Sequence, residues 1–134
     1  MSLTITALYA SLAGLLLLFL SFRVVRWRRK LSVGLGDGGQ ESLLRAQRAQ
    51  ANFTEYVPIA LILLAAAESQ GLAGWLLQTA GAILMLARLL HAWGLSQSSG
   101  RSFGRYWGTL LTWVVILALS LANIFAIISG AVVG

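Results

Sequence analysis

Four polar residues at helical spacing in an apolar region hold most of this chain's potential for chemistry: Arg45, Arg48, Asn52 and Glu55. At ~100° per residue they fall within an arc of about 80°, on one face of a helix. Arginine donates paired hydrogen bonds to carboxylates, a glutamate accepts from an ammonium group, and an asparagine amide does both. This face is typical of a site for a small zwitterionic or anionic ligand with amide groups.

A second polar face lies in the next apolar segment, where Arg88, His91 and Leu95 share an arc. If both segments cross a membrane, the two polar faces lie at one depth and form a pocket that opens to one side. Charged groups at membrane depth are costly and usually mark function. Two structural alternatives remain open: Glu55 neutralises Arg48 or Arg88 in a buried pair, and His91 is an interhelical contact.

The composition determines which protein classes remain. Charged residues make up 10% of the 134, apolar residues 58%, and the mean hydropathy is +0.81. A soluble domain carries about 25% charged residues, so a soluble globular enzyme is excluded. The absence of cysteine excludes a disulfide scaffold and a catalytic thiol, and one histidine with scattered acids predicts no metal site. The sequence indicates an integral membrane protein with one domain, residues 1–134.

Four apolar segments are long enough to cross a bilayer, which takes about 20 helical residues. They cover residues 3–22, 42–67, 74–95 and 106–132. The predicted fold is all-α, an integral membrane four-helix bundle. Asn123 is expected to hydrogen-bond between helices, and Gly74, Gly81 and Gly108 to let helices approach closely.

The charges predict one orientation. In an up-and-down bundle all ten Lys and Arg residues fall on one side, which the positive-inside rule makes cytoplasmic. Both termini then face the periplasm of a bacterial inner membrane. The net charge of +6 indicates topology and contact with anionic lipid headgroups, and no nucleic-acid partner is expected.

The segment from Arg48 to Pro58 reads R-A-Q-x-N-x-x-E-Y-x-P. It resembles the signature of the MAPEG family, the membrane-associated proteins of eicosanoid and glutathione metabolism. The pattern is most similar to microsomal glutathione transferases, leukotriene-C-forming synthases and their small bacterial relatives. The resemblance implies a homotrimer that binds glutathione as co-substrate between neighbouring subunits, near the cytoplasmic face.

The resemblance also implies roles for individual residues. The span-two positions that match glutathione ligands of the family are Arg48, Asn52, Glu55 and Tyr56. Gln50 matches a position that in some members reaches glutathione on the neighbouring chain. Arg26 is the best match to a first-helix arginine that contacts the tripeptide, with Arg23 and Arg29 as competitors. Arg88 matches the third-helix arginine, and His91 follows where a ligand contact is common.

The resemblance places the arginine that activates the thiol at the start of span four. Arg105 suits that position, and Arg101 is the alternative because the loop length is not fixed. A cation beside a thiol favours the nucleophilic thiolate. Mammalian synthases carry a tyrosine where this chain has Leu95, so their phenol is missing unless Tyr106 replaces it. Ala51 stands where prostaglandin-forming members carry an arginine, which argues against that activity.

The expected function is a membrane-embedded, glutathione-dependent transferase or peroxidase. It would act on lipophilic electrophiles that arrive from the bilayer along the apolar halves of spans one and four. The alternative is a non-catalytic, glutathione- or lipid-binding scaffold of the same fold. A small multidrug exporter is disfavoured, because such exporters need a carboxylate in the first span and residues 3–22 contain none.

Overall fold

In a computed structural model, which describes residues 2–130, the chain forms four antiparallel helices. They are α1 (Thr4–Leu31), α2 (Glu41–Ser69), α3 (Gly74–Gln97) and α4 (Phe103–Ile128). All four are long and apolar enough to cross a membrane. The predicted all-α membrane bundle is confirmed. The end of the predicted fourth span, beyond residue 130, lies outside the described residues.

The central pair of helices is α2 and α3, which pack on each other. Both helices also contact α4, and both contact α1. Within residues 2–130, no Cα atom of α1 lies within 8 Å of a Cα atom of α4. The two outer helices therefore lie on opposite sides of the α2–α3 pair, and each presents a broad apolar face to the surroundings.

Helix α1 continues past residue 22 and carries the whole basic cluster to Leu31. Arginine and lysine are good helix formers, and cations at a helix C-terminus are stabilised by the helix dipole. The helix ends at Ser32, which adopts the left-handed conformation. The Arg28 guanidinium then donates to the carbonyls of Val33, Gly34 and Gly36, which fixes the following loop.

Helix α4 begins at Phe103, earlier than the expected residue 106. The Ser102 hydroxyl caps it by accepting a hydrogen bond from the backbone N–H of Arg105 at 3.2 Å. A serine cap of this kind satisfies one of the N–H groups that have no partner within the helix. Arg105 therefore lies in the first helical turn, and its backbone position is fixed.

At the opposite end of the bundle, Glu68 of α2 caps α1. Its carboxylate accepts from the backbone N–H groups of Ile5 at 2.9 Å and Thr6 at 2.7 Å. The residue that precedes α1, Leu3, offers no side-chain cap of its own. An anion at a helix N-terminus also interacts favourably with the helix dipole. Asn123 joins α4 to α2 near the same end by donating to the Leu63 carbonyl at 3.0 Å, as predicted.

Glycines bring the backbones of α3 and α4 into contact. A Cβ atom on Gly108 would lie 2.6 Å from the Ala87 carbonyl oxygen, and one on Gly94 would lie 2.5 Å from the Arg105 backbone nitrogen. Gly81 faces the Tyr9 ring in the same close manner. The prediction of close packing is confirmed for Gly81 and Gly108. It is wrong for Gly74, where a Cβ would make only an ordinary contact at 3.7 Å.

Replacing Gly108 by Ala should destabilise the protein by about 1–3 kcal/mol, because the new methyl overlaps the α3 backbone and forces the helices apart. Gly14→Ala is the matched control, since no atom lies within 4 Å of a Cβ there. The control should be neutral or stabilising by up to ~1 kcal/mol, through helix propensity. Thermal unfolding in detergent measures both, and equal midpoints would contradict a backbone contact at Gly108.

Candidate functional site

A cavity of about 960 Å³ opens beside the first turns of α4. Its polar wall contains Asn52 of α2, His91 of α3, and Arg101, Ser102, Arg105 and Thr109. Its apolar wall contains Phe103, Tyr106, Leu110 and Trp113. A pocket with an apolar body and a few convergent polar groups is typical of a small-molecule site.

Arg88 lies behind the polar wall and is almost completely buried, with 1% of its surface exposed. Its Nη2 donates to Oδ1 of Asn52 at 2.7 Å and lies 3.4 Å from Nδ1 of His91. Its Nη1 donates to the Thr112 hydroxyl at 3.5 Å. Its guanidinium also lies over the Phe53 ring, 5.9 Å from the ring centre. The two predicted polar faces, on α2 and α3, therefore meet through Arg88 and Asn52.

The Arg88 cation has only neutral partners. Within residues 2–130 no carboxylate oxygen lies within 4.0 Å of it, and its buried Nε has no hydrogen-bond partner. Burying a cation without a counter-ion is costly, and a nearby anion offsets part of that cost. The inner wall of the cavity therefore favours a negatively charged ligand.

Glu55 pairs with Arg48 rather than with Arg88. The two side chains lie 3.7 Å apart on the outer face of α2, and each is about half exposed (53% and 49%). The pairing with Arg48 that one alternative gave is present, but in the single chain the pair is half exposed rather than buried. At 3.7 Å with both side chains half exposed, the pair leaves each group accessible to a ligand.

Tyr56, which follows Glu55 in the signature, contacts a residue of the apolar wall. Its ring packs edge-on against Trp113 of α4, with ring centres 6.4 Å apart. This contact links the end of the signature on α2 to the cavity. Leu95, where the mammalian synthases have a tyrosine, is buried and apolar. Tyr106 does line the cavity, so a phenol is present there from another position.

Arg101 and Arg105, the two expected alternatives, both line the cavity. Nη1 of Arg105 donates to the carbonyl oxygens of Ser99 at 2.6 Å and Gly100 at 2.7 Å. Arg101 is an exposed loop residue. Arg105 is therefore the better-fixed cation, because it has both a helical backbone and an anchored guanidinium.

Of the expected ligand residues, Asn52 and His91 line this cavity, whereas Arg48, Glu55 and Tyr56 of α2 do not. Two further expected residues lie on the α1 side of the single chain. Arg26 borders a separate hollow of about 330 Å³ on α1, together with Arg23, Trp27 and Lys30. Gln50 faces α1 and donates to the Ser21 hydroxyl at 2.8 Å. Neither lines the large cavity, and Arg29, the other competitor of Arg26, is exposed on α1 outside both hollows.

The sequence reasoning missed Thr112 and Trp113. Thr112 is fully buried beside Arg88, and its hydroxyl donates to the Gly108 carbonyl at 2.7 Å. The spacing of Gly104, Gly108 and Thr112, four residues apart, marks one face of small residues on α4. That spacing predicts that this face of α4 packs closely against another helix. It does not identify which residues of α3 it contacts.

Comparison with known proteins indicates the same family that the α2 signature resembles. The sequence model of the MAPEG family matches residues 6–125. The inner membrane protein YecN of Escherichia coli K12 is 39% identical over 121 residues, which cover 90% of this chain and 91% of that protein. YecN of the E. coli O6:H1 strain CFT073 matches to the same extent.

Asn52→Leu should destabilise the protein by about 1–3 kcal/mol, because it removes the closest acceptor of a buried guanidinium. Asn52→Asp should be neutral or stabilising, because it places a carboxylate beside Arg88. Thermal unfolding in detergent separates the two variants. A similar loss in both would show that the amide is held by packing rather than by the Arg88 charge.

Proposed function

The chain belongs to the MAPEG family of membrane proteins, and on that premise we propose that it is a glutathione-dependent transferase of the bacterial inner membrane. The observation that carries the proposal is the buried Arg88, which has no carboxylate partner within residues 2–130 and lies behind a cavity lined by Asn52, Arg101 and Arg105. Glutathione supplies two carboxylates, a thiol and two amides, which match this set of donors. The inner-membrane location rests on the E. coli relatives, and the basic side is taken as cytoplasmic.

The exposed face of α2 binds the charged ends of the tripeptide in this proposal. Glu55 accepts from the ammonium group, and Arg48 donates to a carboxylate after the two side chains give up their mutual pair. Asn52 contacts the peptide while it holds Arg88. His91 lines the cavity beside Arg88, and Tyr56 packs against Trp113, which also lines it.

Arg105 stabilises the thiolate, with Arg101 as the second candidate. A thiol has a pKa of about 8.5, and a fixed cation lowers it, which raises the fraction of nucleophile at neutral pH. The sulfur then forms a bond to an electrophilic carbon. As this bond forms, the double bond or ring of the electrophile opens, and its electron pair takes up a proton. This proton balances the one that the thiol lost when it became a thiolate. Tyr106 is placed to donate a hydrogen bond in this region.

The second substrate is a lipophilic electrophile that enters from the bilayer. The apolar wall of the cavity belongs to α4, whose Phe103, Tyr106 and Trp113 are also exposed on the outside of the bundle. A molecule dissolved in the membrane therefore reaches the cavity sideways, without crossing the aqueous phase.

The proposal includes a homotrimer in which neighbouring chains share the ligand. Arg26 and Gln50 lie on the α1 side of the bundle, away from the cavity of their own chain. In an assembly they would approach the cavity of the adjacent subunit. A membrane scaffold that binds glutathione or lipid without catalysis is the second candidate. The observation in its favour is the buried Leu95, where the mammalian synthases have a phenol.

Calorimetry of the detergent-purified protein with glutathione tests the binding. Arg48→Ala and Glu55→Ala should each weaken affinity at least tenfold, which corresponds to about 1.4 kcal/mol. Thr54→Ala is the matched control, because Thr54 is exposed on the same helix and, within residues 2–130, its hydroxyl bonds only to the Ala51 carbonyl. A folded wild-type protein that binds no glutathione would refute the proposal.

Conjugation assays with a set of hydrophobic electrophiles then separate the transferase from the scaffold. Arg105→Gln should lower kcat about 10²-fold if Arg105 holds the thiolate, and Arg101→Gln should have a smaller effect. The reverse order would move the role to Arg101. Glutathione binding with no conjugation above the spontaneous rate would favour the scaffold.

A further inference from the structure

The loop that joins α3 to α4, residues 98–102, connects the beginning of α2 to the cavity. The Ser99 hydroxyl donates to the carboxylate of Glu41 in the first turn of α2. The loop is also braced internally, because the Gly100 N–H donates to the Ser98 hydroxyl at 3.0 Å. Residues distant in the chain thus hold a short backbone segment in place at the cavity mouth.

The same segment holds the side chain of Arg105. The carbonyl oxygens of Ser99 and Gly100 both accept from its Nη1, at 2.6 and 2.7 Å. These two bonds occupy Nη1 and leave the Nη2 and Nε donors for a ligand in the cavity that Arg105 lines. The Ser102 cap fixes the Arg105 backbone independently. The chain of contacts therefore runs from Glu41 through Ser99 to the guanidinium.

We propose that Glu41 and Ser99 are positioning residues for Arg105. Their hydrogen bond fixes the two loop carbonyls that orient the guanidinium toward the cavity. An arginine side chain is long and flexible, and one whose partners are fixed loses less freedom when it binds a ligand. A small displacement of a catalytic group lowers the rate strongly. The part of this inference that concerns the thiol rests on the proposed glutathione-dependent function.

A purely structural role is the competing explanation. Glu41 is the one acidic residue in the first turn of α2, where it stabilises the helix through its dipole. That role would change stability when Glu41 is replaced, but it would leave Arg105 unaffected. The test therefore reads the state of the Arg105 guanidinium directly.

The first measurement needs no glutathione. The purified protein is treated with phenylglyoxal, which modifies accessible arginines, and peptide mass spectrometry gives the rate at Arg105 relative to the exposed Arg29. Ser99→Ala and Glu41→Ala should raise the relative rate about three- to tenfold, because the loop carbonyls are no longer held in place. Ser99→Thr should restore the wild-type rate, since it keeps the hydroxyl.

Ser96→Ala is the matched control, because Ser96 is exposed and, in the described part of the chain, its hydroxyl bonds only to the Trp93 carbonyl. An Arg105 rate that stays at the wild-type value in both Ser99→Ala and Glu41→Ala would overturn the proposal. So would an equal rise in Ser96→Ala. If Glu41→Ala fails to fold, Ser99→Ala decides, since its side chain is exposed and its loss leaves α2 intact.

The second measurement follows the thiolate absorbance of bound glutathione against pH. Ser99→Ala should raise the pKa of the bound thiol and lower kcat about three- to tenfold, with KM little changed, because ligand contacts outside Arg105 remain. Wild-type protein that binds no glutathione would refute the proposed function, while the phenylglyoxal rates would still decide the positioning role. A thiolate that forms equally in wild type and Ser99→Ala would refute positioning and leave the proposed function standing.

Discussion

The buried cation of Arg88 is the constraint on which the rest of the bundle depends. A charged group at membrane depth is costly and needs polar partners inside the protein, and Arg88 has them at Nη1 and Nη2 but not at Nε. Asn52 and Thr112 supply acceptors from two different helices, and His91 supplies a third group from α3 itself. Because each acceptor is neutral, the positive charge is stabilised without being cancelled. The same arrangement that makes the fold possible therefore leaves a positive potential at the cavity wall.

Such an arrangement requires α3 and α4 to be very close, and the glycines make that distance possible. Gly108 lies against the backbone of α3, one helical turn before Thr112, which is a hydrogen-bond partner of Arg88. The Thr112 hydroxyl donates to the Gly108 carbonyl. Hydrophobic burial gives little preference between helices in a bilayer, so close packing and hydrogen bonds decide the pairing. The packing of α3 on α4 and the geometry of the site thus depend on the same few residues. A substitution that separates the two helices would also displace the partners of Arg88.

Periodicity was sufficient to predict four helices and the approach of Asn52 on α2 to Arg88 on α3, because those features depend on local spacing and composition. Arg48 and Glu55, which share the predicted polar face with Asn52, lie on the outside of the single chain. Periodicity did not predict that Glu68 would cap α1, or that Thr112 would be the partner of Arg88 on α4. These contacts join residues far apart in the chain, and they depend on the register and tilt of whole helices. The anchoring of Arg105 was also beyond the sequence, because its partners are backbone carbonyls that any residue would offer. The family resemblance supplied the roles of Arg26 and Gln50, which no local pattern indicated.

The position of Gln50 determines how Arg26 and Gln50 could reach a ligand in the cavity. Residues two apart on a helix point about 200° apart, and accordingly Gln50 faces α1 while Asn52 faces Arg88. Arg26 borders a separate hollow and Gln50 faces α1, so within one chain neither side chain lines the cavity of Arg105. In the proposed trimer, a ligand that engages all three would lie between α1 of one chain and α4 of another. If the family's ligand positions act here, then assembly completes the site and ligand binding in turn stabilises the assembly, because the two equilibria share the same contacts.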